Sequence, residues 1–249
     1  MRADGHLYDA IGVGYAAKRV ADPAMAAQIE RALGDARRVL NVGAGAGSYE
    51  STEREIVAVE PSMVMVAQRG ESAAPVVRAV AEGLPVASGS FDATLTVLSV
   101  HHWRDRATGY AELRRVAPKR VVLTYEPTLQ KRFWLIEDYL PGVARFEAGR
   151  VPTVEEVAEG IGATRVEVVP VAHDCRDAIL PAHWRRPEAY LDPEVLRSAS
   201  GVVQSDQDEV RAGIERLRAD LASGAWYDRY GHLLDEDELD VGFRLVVAG

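Results

Sequence analysis

The chain has 249 residues, 47% of them hydrophobic, with a formal net charge of −9 and one cysteine. That length suits one large α/β domain carrying an insertion rather than two independent domains, and the acidic balance excludes a nucleic-acid-binding surface as the default, because such affinity needs a basic face. Cys175 has no internal partner for a disulfide, no segment reaches the roughly 18 continuous apolar residues of a membrane span, and no basic head with a long apolar core opens the chain, so a soluble cytoplasmic protein is expected.

In chain order, the first predicted element is a helix over DPAMAAQIERALG, with Pro23 in its first turn and Gly34 just past its end. Seven short, β-branched apolar runs follow: RRVLNVG, EIVAVE, APVVRAV, FDATLTVLSV, KRVVLTYE, TRVEVVPV and GFRLVVAG. They are nearly continuous rather than alternating in polarity, as expected of strands covered by helices on both faces. PSMVMVAQRG and RDRATGYAELRRVAP have helical composition and lie between strands, so the pattern predicts a doubly wound, mostly parallel sheet. From about Arg176 to Asp240 no strand candidate occurs, which predicts a helical insertion before the last strand. Its clearest helix is SDQDEVRAGIERLRADLASG, with Ser205 as N-cap, Gly224 past the end, and Val210, Ile214, Leu217 and Leu221 on one face. The acidic run DEDELD reads as a solvated loop rather than a metal site. Cys175 lacks an activating neighbour and reads as a small, partly buried residue.

The chemistry is concentrated around VLNVGAGAGSYE. A glycine turn after a strand lets the backbone approach a ligand closely, and the element that follows offers free N–H groups. A phosphate-cradling loop requires Gly-Lys-Ser/Thr, whereas Gly47 is followed by Ser48 and Tyr49. A dinucleotide fingerprint requires glycine or alanine where Ser48 stands. The next strand ends in Glu60, an acid placed to accept both hydroxyls of a ribose. The combination points to an adenosine-type ligand without a cation for phosphates.

Four blocks in order, VLNVGAGAGSYE, VAVEPSMVMVAQR, RAVAEGLPVASGSFDATLTVLSVHHW and AELRRVAPKRVVLTYEP, resemble the class I S-adenosylmethionine-dependent methyltransferases, in the branch similar to the ubiquinone/menaquinone C-methyltransferases. The resemblance implies a Rossmann-like seven-stranded sheet whose last strand is antiparallel and lies beside the fifth. It implies one methyltransferase domain over 1–249, with an N-terminal helical lid over 1–34, a cofactor-binding half over 35–127 and a substrate lid over 176–240. Gly43, Ala44, Gly45 and Gly47 would line the methionine part of the cofactor, and Glu60 would hold the ribose. Pro61, Ser62 and Met63 would flank the adenine, Ala81 and Glu82 would recognise its edge, and Leu98 and Ser99 would floor the sulfonium. Tyr8, Tyr15 and Arg19 fall in the N-terminal lid, where Tyr15 and Arg19 are the cofactor candidates. Two positions depart from the family: Asn41 and Val80 stand where many relatives carry an acid, and Glu82 is a candidate substitute for the second.

A sulfonium activates its own methyl group, so the protein's task is to align a nucleophile and, for a hydroxyl or acidic carbon, to take its proton. His101 and His102, at the exit of the fourth strand, are the catalytic candidates; the alternative is that His102 caps the next helix while His101 packs. No metal is expected, since SVHHW offers no carboxylate there, and His173 reads as structural. Trp103 reads as packing or as a substrate wall. Aromatic residues gather in LQKRFWLIEDYLPG, PAHWRRPEAY and GAWYDRYGHLL, which suggests an apolar lid or a core, with Arg185 and Arg186 facing an anionic substrate group or solvent. The expected activity is methyl transfer from S-adenosylmethionine, leaving S-adenosylhomocysteine, to the oxygen, carbon or nitrogen of a small molecule. The expected protein is a monomer or homodimer engaging neither nucleic acid nor membrane. The alternatives are a protein that binds the cofactor without transferring the methyl group, and an NAD-dependent oxidoreductase.

Overall fold

The computed structural model describes residues 19–249, which divide into two compact units. The first comprises residues up to Tyr125, Pro152–Val168 and Arg244–Gly249; the second comprises Glu126–Val151 and Val169–Phe243. The stretch 176–240 falls in the second unit, which also takes in the chain following the fifth strand.

Strands β1 (Arg38–Val42), β2 (Glu55–Val59), β3 (Val76–Val77), β4 (Ala93–Val97), β5 (Lys119–Tyr125), β6 (Arg165–Val168), β7 (Val171–Ala172), β8 (Glu238–Leu239) and β9 (Phe243–Ala248) form two sheets. The larger has the order β3-β2-β1-β4-β5-β9-β6. The seven predicted strands are its seven members. β1, β2, β3, β4 and β5 pair in parallel, whereas β9, inserted between β5 and β6, runs antiparallel to β6 with Val247 opposite Arg165. The central strands are buried on both faces, as their unbroken apolar runs demand: Val39, Leu40, Leu95, Val121 and Val122 have no accessible surface.

Helices cover the sheet where the caps permit. In Pro23–Leu33, Asp22 accepts from the N–H groups of Ala24 and Met25, Pro23 occupies the first turn, and Gly34 (φ +58) ends the helix. The buried face carries Met25, Ile29, Ala32 and Leu33. Helix Arg106–Val116, capped by Asp105, packs against helix Val154–Ile161 so closely that a Cβ on Gly160 would lie 2.2 Å from the Tyr110 ring.

The second unit is helical apart from the pair β7-β8, which interrupts the stretch expected to hold no strand and removes Glu238 and Leu239 from the expected acidic loop. Both strands are two residues long, too short for a periodicity signal. Its longest helix, Gln207–Ser223, is capped by Asp206, not Ser205: the Asp206 carboxylate accepts from the N–H groups of Asp208 and Glu209, while Ser205 Oγ donates back to the Gly201 carbonyl at 2.6 Å. Gly224 ends it in the left-handed conformation, and Val210, Ile214 and Leu217 are buried. The aromatic residues are this unit's core. Trp184, Trp226 and Tyr190 have no accessible surface, and the Trp134 ring meets Trp226 at 5.3 Å and Tyr190 at 5.5 Å between centroids. Three polar tips are spent on carbonyls, Trp134 Nε1 on Trp184, Trp184 Nε1 on Val171 and Tyr190 Oη on Leu180, whereas Trp226 Nε1 is buried without a partner. Among the described residues no helix is long and apolar enough to cross a membrane.

Candidate active site

The carboxyl ends of β1, β2 and β4 open on a cavity of about 580 Å³ within the first unit. That volume is in the range of sites for small organic molecules. β1 lies between β2 and β4, so the chain order reverses there, and open α/β sheets hold ligands at such a reversal.

After Val42 the chain turns sharply, and the N–H groups of Gly43 and Ala44 both donate to the Val59 carbonyl, at 2.9 and 3.1 Å. Gly43 has φ +72, and a Cβ there would sit 2.3 Å from Ser99 Oγ; the loop crosses the end of β4 with no room for a side chain. Gly43, Ala44, Gly45 and Ser48 line the cavity. Gly47 does not line it, because its α-carbon faces the Glu50 carboxylate, whose Oε2 would lie 2.9 Å from a Cβ.

Glu60 continues β2 and is buried. Its Oε2 accepts from the Gly45 N–H and its Oε1 from the Ser62 N–H, each at 2.8 Å. One carboxylate therefore ties the glycine loop to the start of the next helix. Glu60, Pro61 and Ser62 line the cavity, and Ser62 Oγ caps helix Met63–Ala67 by accepting from the Met65 N–H. Met63 points outward and is 51% exposed; Met65, further round the helix, lines the wall in its place.

Val80, Ala81 and Glu82 form another wall. Glu82 Oε1 accepts from the N–H groups of Arg104 at 2.7 Å and Asp105 at 3.1 Å, which ties this wall to the start of the helix that Asp105 caps. Leu98 and Ser99 complete the cavity at the end of β4. Leu98 is the only non-glycine among the described residues at positive φ, +48, and its N–H donates to the Leu123 carbonyl at 2.8 Å. Such a conformation costs about 1–2 kcal/mol and concentrates where function constrains the backbone.

The short 3-10 turn Val100–His102 aims its two histidines apart. His102 lines the cavity, whereas His101 does not; the His101 ring lies 3.9 Å from that of His102 and 5.6 Å from that of Tyr125, with Nδ1 buried and unpartnered. Burial lowers the His102 pKa to about 4 and lowers that of His101 well below the usual value, the neighbouring imidazole adding to the effect. Both rings are therefore neutral at pH 7. His102 is not the cap of the next helix, since Asp105 fills that role. Trp103 is largely buried, packs on Gly109 and presents an edge to the cavity.

Arg19 lines the cavity, and its carbonyl accepts from Ser48 Oγ at 3.0 Å; Tyr8 and Tyr15 lie outside the described residues. Sequence reasoning missed Arg78, Arg104 and Asp105 in the wall. Arg78 was hidden inside a predicted strand, but β3 stops at Val77, and Arg78 Nε donates to the Pro61 carbonyl at 3.2 Å. It missed also the buried ion pair beneath the loop. Arg69 Nη2 meets the two Glu50 oxygens at 2.7 and 2.6 Å, Arg69 Nη1 donates to the Gly45 carbonyl at 2.9 Å, and Asn41 Nδ2 donates to Glu50 Oε1 at 3.1 Å. His173, Arg185 and Arg186 belong to the second unit, where the arginines donate to the carbonyls of Glu236 and Ala182.

The methyltransferase domain family model matches residues 40–123. A protein assigned as a methyltransferase from an antibiotic biosynthesis pathway of Anabaena variabilis is 31% identical, with a TM-score of 0.83 over 93% of this chain and 99% of that one. Geranyl diphosphate C-methyltransferase from Streptomyces coelicolor A3(2), solved with S-adenosyl-L-homocysteine, is 13% identical with a TM-score of 0.52 over 90% of this chain and 74% of that one. A [4+2]-cyclase, SpnF, shares the fold at 19% identity and a TM-score of 0.52 over 90% of this chain and 78% of that one. No curated protein sequence is significantly similar to the chain.

Proposed function

This chain belongs to the S-adenosylmethionine-dependent methyltransferases, and on that premise we propose that the cavity at the ends of β1, β2 and β4 holds the methyl donor and that the acceptor is a small organic molecule. The observation that carries the reading is the convergence of the glycine loop, Glu60, the Leu98–Ser99 segment and His102 on one cavity. The donor supplies a methyl group activated on sulfur.

The chain's own groups fit such a ligand. Gly43 and Gly45 offer backbone without side chains, as an extended amino-acid tail requires, and Glu60 brings a carboxylate to the cavity at the end of β2, where a ribose would lie. The lining includes Arg19, Arg78 and Arg104, cations that the expectation of a site without them did not foresee. Leu98 is held in a strained conformation beside Ser99, where a reacting centre would be fixed in position. His102 is a neutral imidazole on the cavity wall, placed to accept the proton that a hydroxyl or acidic carbon gives up on methylation. His101 stands behind it, and burial keeps His102 neutral. The protein acts in the cytoplasm, a reading supported by the single cysteine, as a monomer or homodimer.

Calorimetric titration with S-adenosylhomocysteine and with NADH, followed by transfer of labelled methyl to a panel of small metabolites, tests this function. Binding of the homocysteine product alone, with turnover that falls at least about tenfold in His102→Ala, is the expected result. Binding of NADH alone, or turnover restricted to protein or nucleic-acid acceptors, would overturn it.

A further inference from the structure

Resting on the reading of the glycine-loop cavity as the donor site, we propose that Glu50 and Arg69 are positioning residues for cofactor binding: a buried ion pair that sets the loop from beneath, with Asn41 as its obligatorily neutral third member. The three residues come from different elements. Asn41 lies on β1, Glu50 follows the glycine loop, and Arg69 lies just beyond helix Met63–Ala67.

The pair is sunk, with the two side chains 5% and 4% exposed. A buried ion pair is weak evidence for stability, because desolvating both charges offsets their attraction. What this pair holds is more informative. Arg69 binds the Gly45 carbonyl at 2.9 Å, and the Gly45 N–H is held from the other side by Glu60 at 2.8 Å. Both peptide groups flanking the Gly45 α-carbon are thus clamped, one by a cation and one by an anion. Glu50 in turn packs under the α-carbon of Gly47 and accepts from the Ala74 N–H at 2.8 Å. Arg69 Nη2 also donates to the Ala74 carbonyl at 3.0 Å, so the pair anchors the loop, through the Gly45 carbonyl, to both polar groups of Ala74 ahead of β3, and that anchorage sets the loop's position.

Asn41 follows from the same geometry. A carboxylate only accepts, so the amide must turn Nδ2 toward Glu50, leaving Oδ1 buried and unpartnered. An acid at this position would face Glu50 Oε1 across the 3.1 Å now spanned by a hydrogen bond, with one guanidinium for two carboxylates. One of the two would then take up a proton, and the clamp on Gly45 would weaken.

Four proteins test this: wild type, Glu50→Gln, Asn41→Asp, and the double variant Asn41→Asp/Glu50→Gln, which restores one acid, one amide and one guanidinium. Kd for S-adenosylhomocysteine by calorimetry at pH 6, 7 and 8 is read beside the melting temperature. The expected Kd rises about tenfold in each single variant, becomes pH-dependent in Asn41→Asp, and returns to within about threefold of wild type in the double variant. Unchanged Kd in folded single variants, with only the melting temperature lowered, would make the pair merely structural and overturn the proposal. If Glu50→Gln fails to fold, the double variant decides: a Kd no better than that of Asn41→Asp overturns it. Failure of wild type to bind S-adenosylhomocysteine would instead refute the donor-site reading.

Discussion

Gly43→Ala isolates the tightest passage in the site. The backbone there has φ +72, which a side chain tolerates at a cost of about 1–2 kcal/mol. The new Cβ would also lie 2.3 Å from Oγ and 2.7 Å from Cβ of Ser99. Ser99 cannot swing aside freely: it is 8% exposed and its Oγ is bonded to the Val42 carbonyl at 3.2 Å. Overpacking of that kind costs about 1–3 kcal/mol, so the substitution should destabilise the protein by about 2–5 kcal/mol in total. Urea unfolding measures the loss, and titration with S-adenosylhomocysteine measures the effect of a displaced β4 terminus on affinity, expected to be a fall of at least about tenfold. The two contributions separate in the Ser99→Gly background, which removes both clashing atoms; there Gly43→Ala should cost only the conformational 1–2 kcal/mol or so. A total loss under about 1 kcal/mol, or an equal loss in both backgrounds, would refute the steric reasoning.

Other measurements follow from the same geometry. Glu60→Gln places an amide N–H₂ against one of two backbone donors and should weaken S-adenosylhomocysteine binding about tenfold or more, read by calorimetry at unchanged helical content. Because the folded-state pKa of His102 is depressed to about 4, the unfolded chain binds a proton there below pH 6.5 while the native protein does not; stability is complete above pH 6.5 and falls by about 3 kcal/mol as pH drops toward 4. His101 shifts in the same direction, and His101→Asn/His102→Asn should flatten that part of the urea stability profile. Trp226→Ala empties a site with no accessible surface and should cost about 3–5 kcal/mol, seen as early loss of the second unit's hydrogen-exchange protection.

The main sheet was legible in the sequence because its strands are covered on both faces: runs such as RVLNV and EIVAV are nearly continuous in apolar residues, as strands of a doubly wound sheet are. β7 and β8 left no trace, since two residues cannot display a period. The Asp206 cap was ambiguous in sequence because Ser205 and Asp206 are both good caps; the preceding helix Ser200–Gln204 decides it by claiming Ser205 Oγ at Gly201. Within the site, Gly43, Gly45 and Glu60 were readable from spacing, but the outward turn of Gly47 depends on Glu50, whose partner Arg69 closes the block VAVEPSMVMVAQR with no spacing rule that links the two. Adjacent histidines share one signal and divide it in space, His102 to the cavity and His101 toward Tyr125. The aromatic clusters carry the same composition whether they wall a pocket or fill a core, and the hydrogen bonds of Trp134 and Trp184 to carbonyls resolve which.

The placement of β9 bears on how this protein is made. β6 sits at the sheet edge with β9 as its one neighbour, and Val168 pairs with Arg244. The ribosome must therefore add roughly 75 residues after β6 before that pairing can form, a long closure whose entropy is recovered only at the end. Through that interval β5 also lacks the strand that will lie beside it. Until then β5 offers one open side and β6 two, each a template for pairing with another molecule. Arrival of β9 covers the β5 side and one of the two on β6, so this late strand, rather than the glycine loop, completes the sheet on which the candidate site is built.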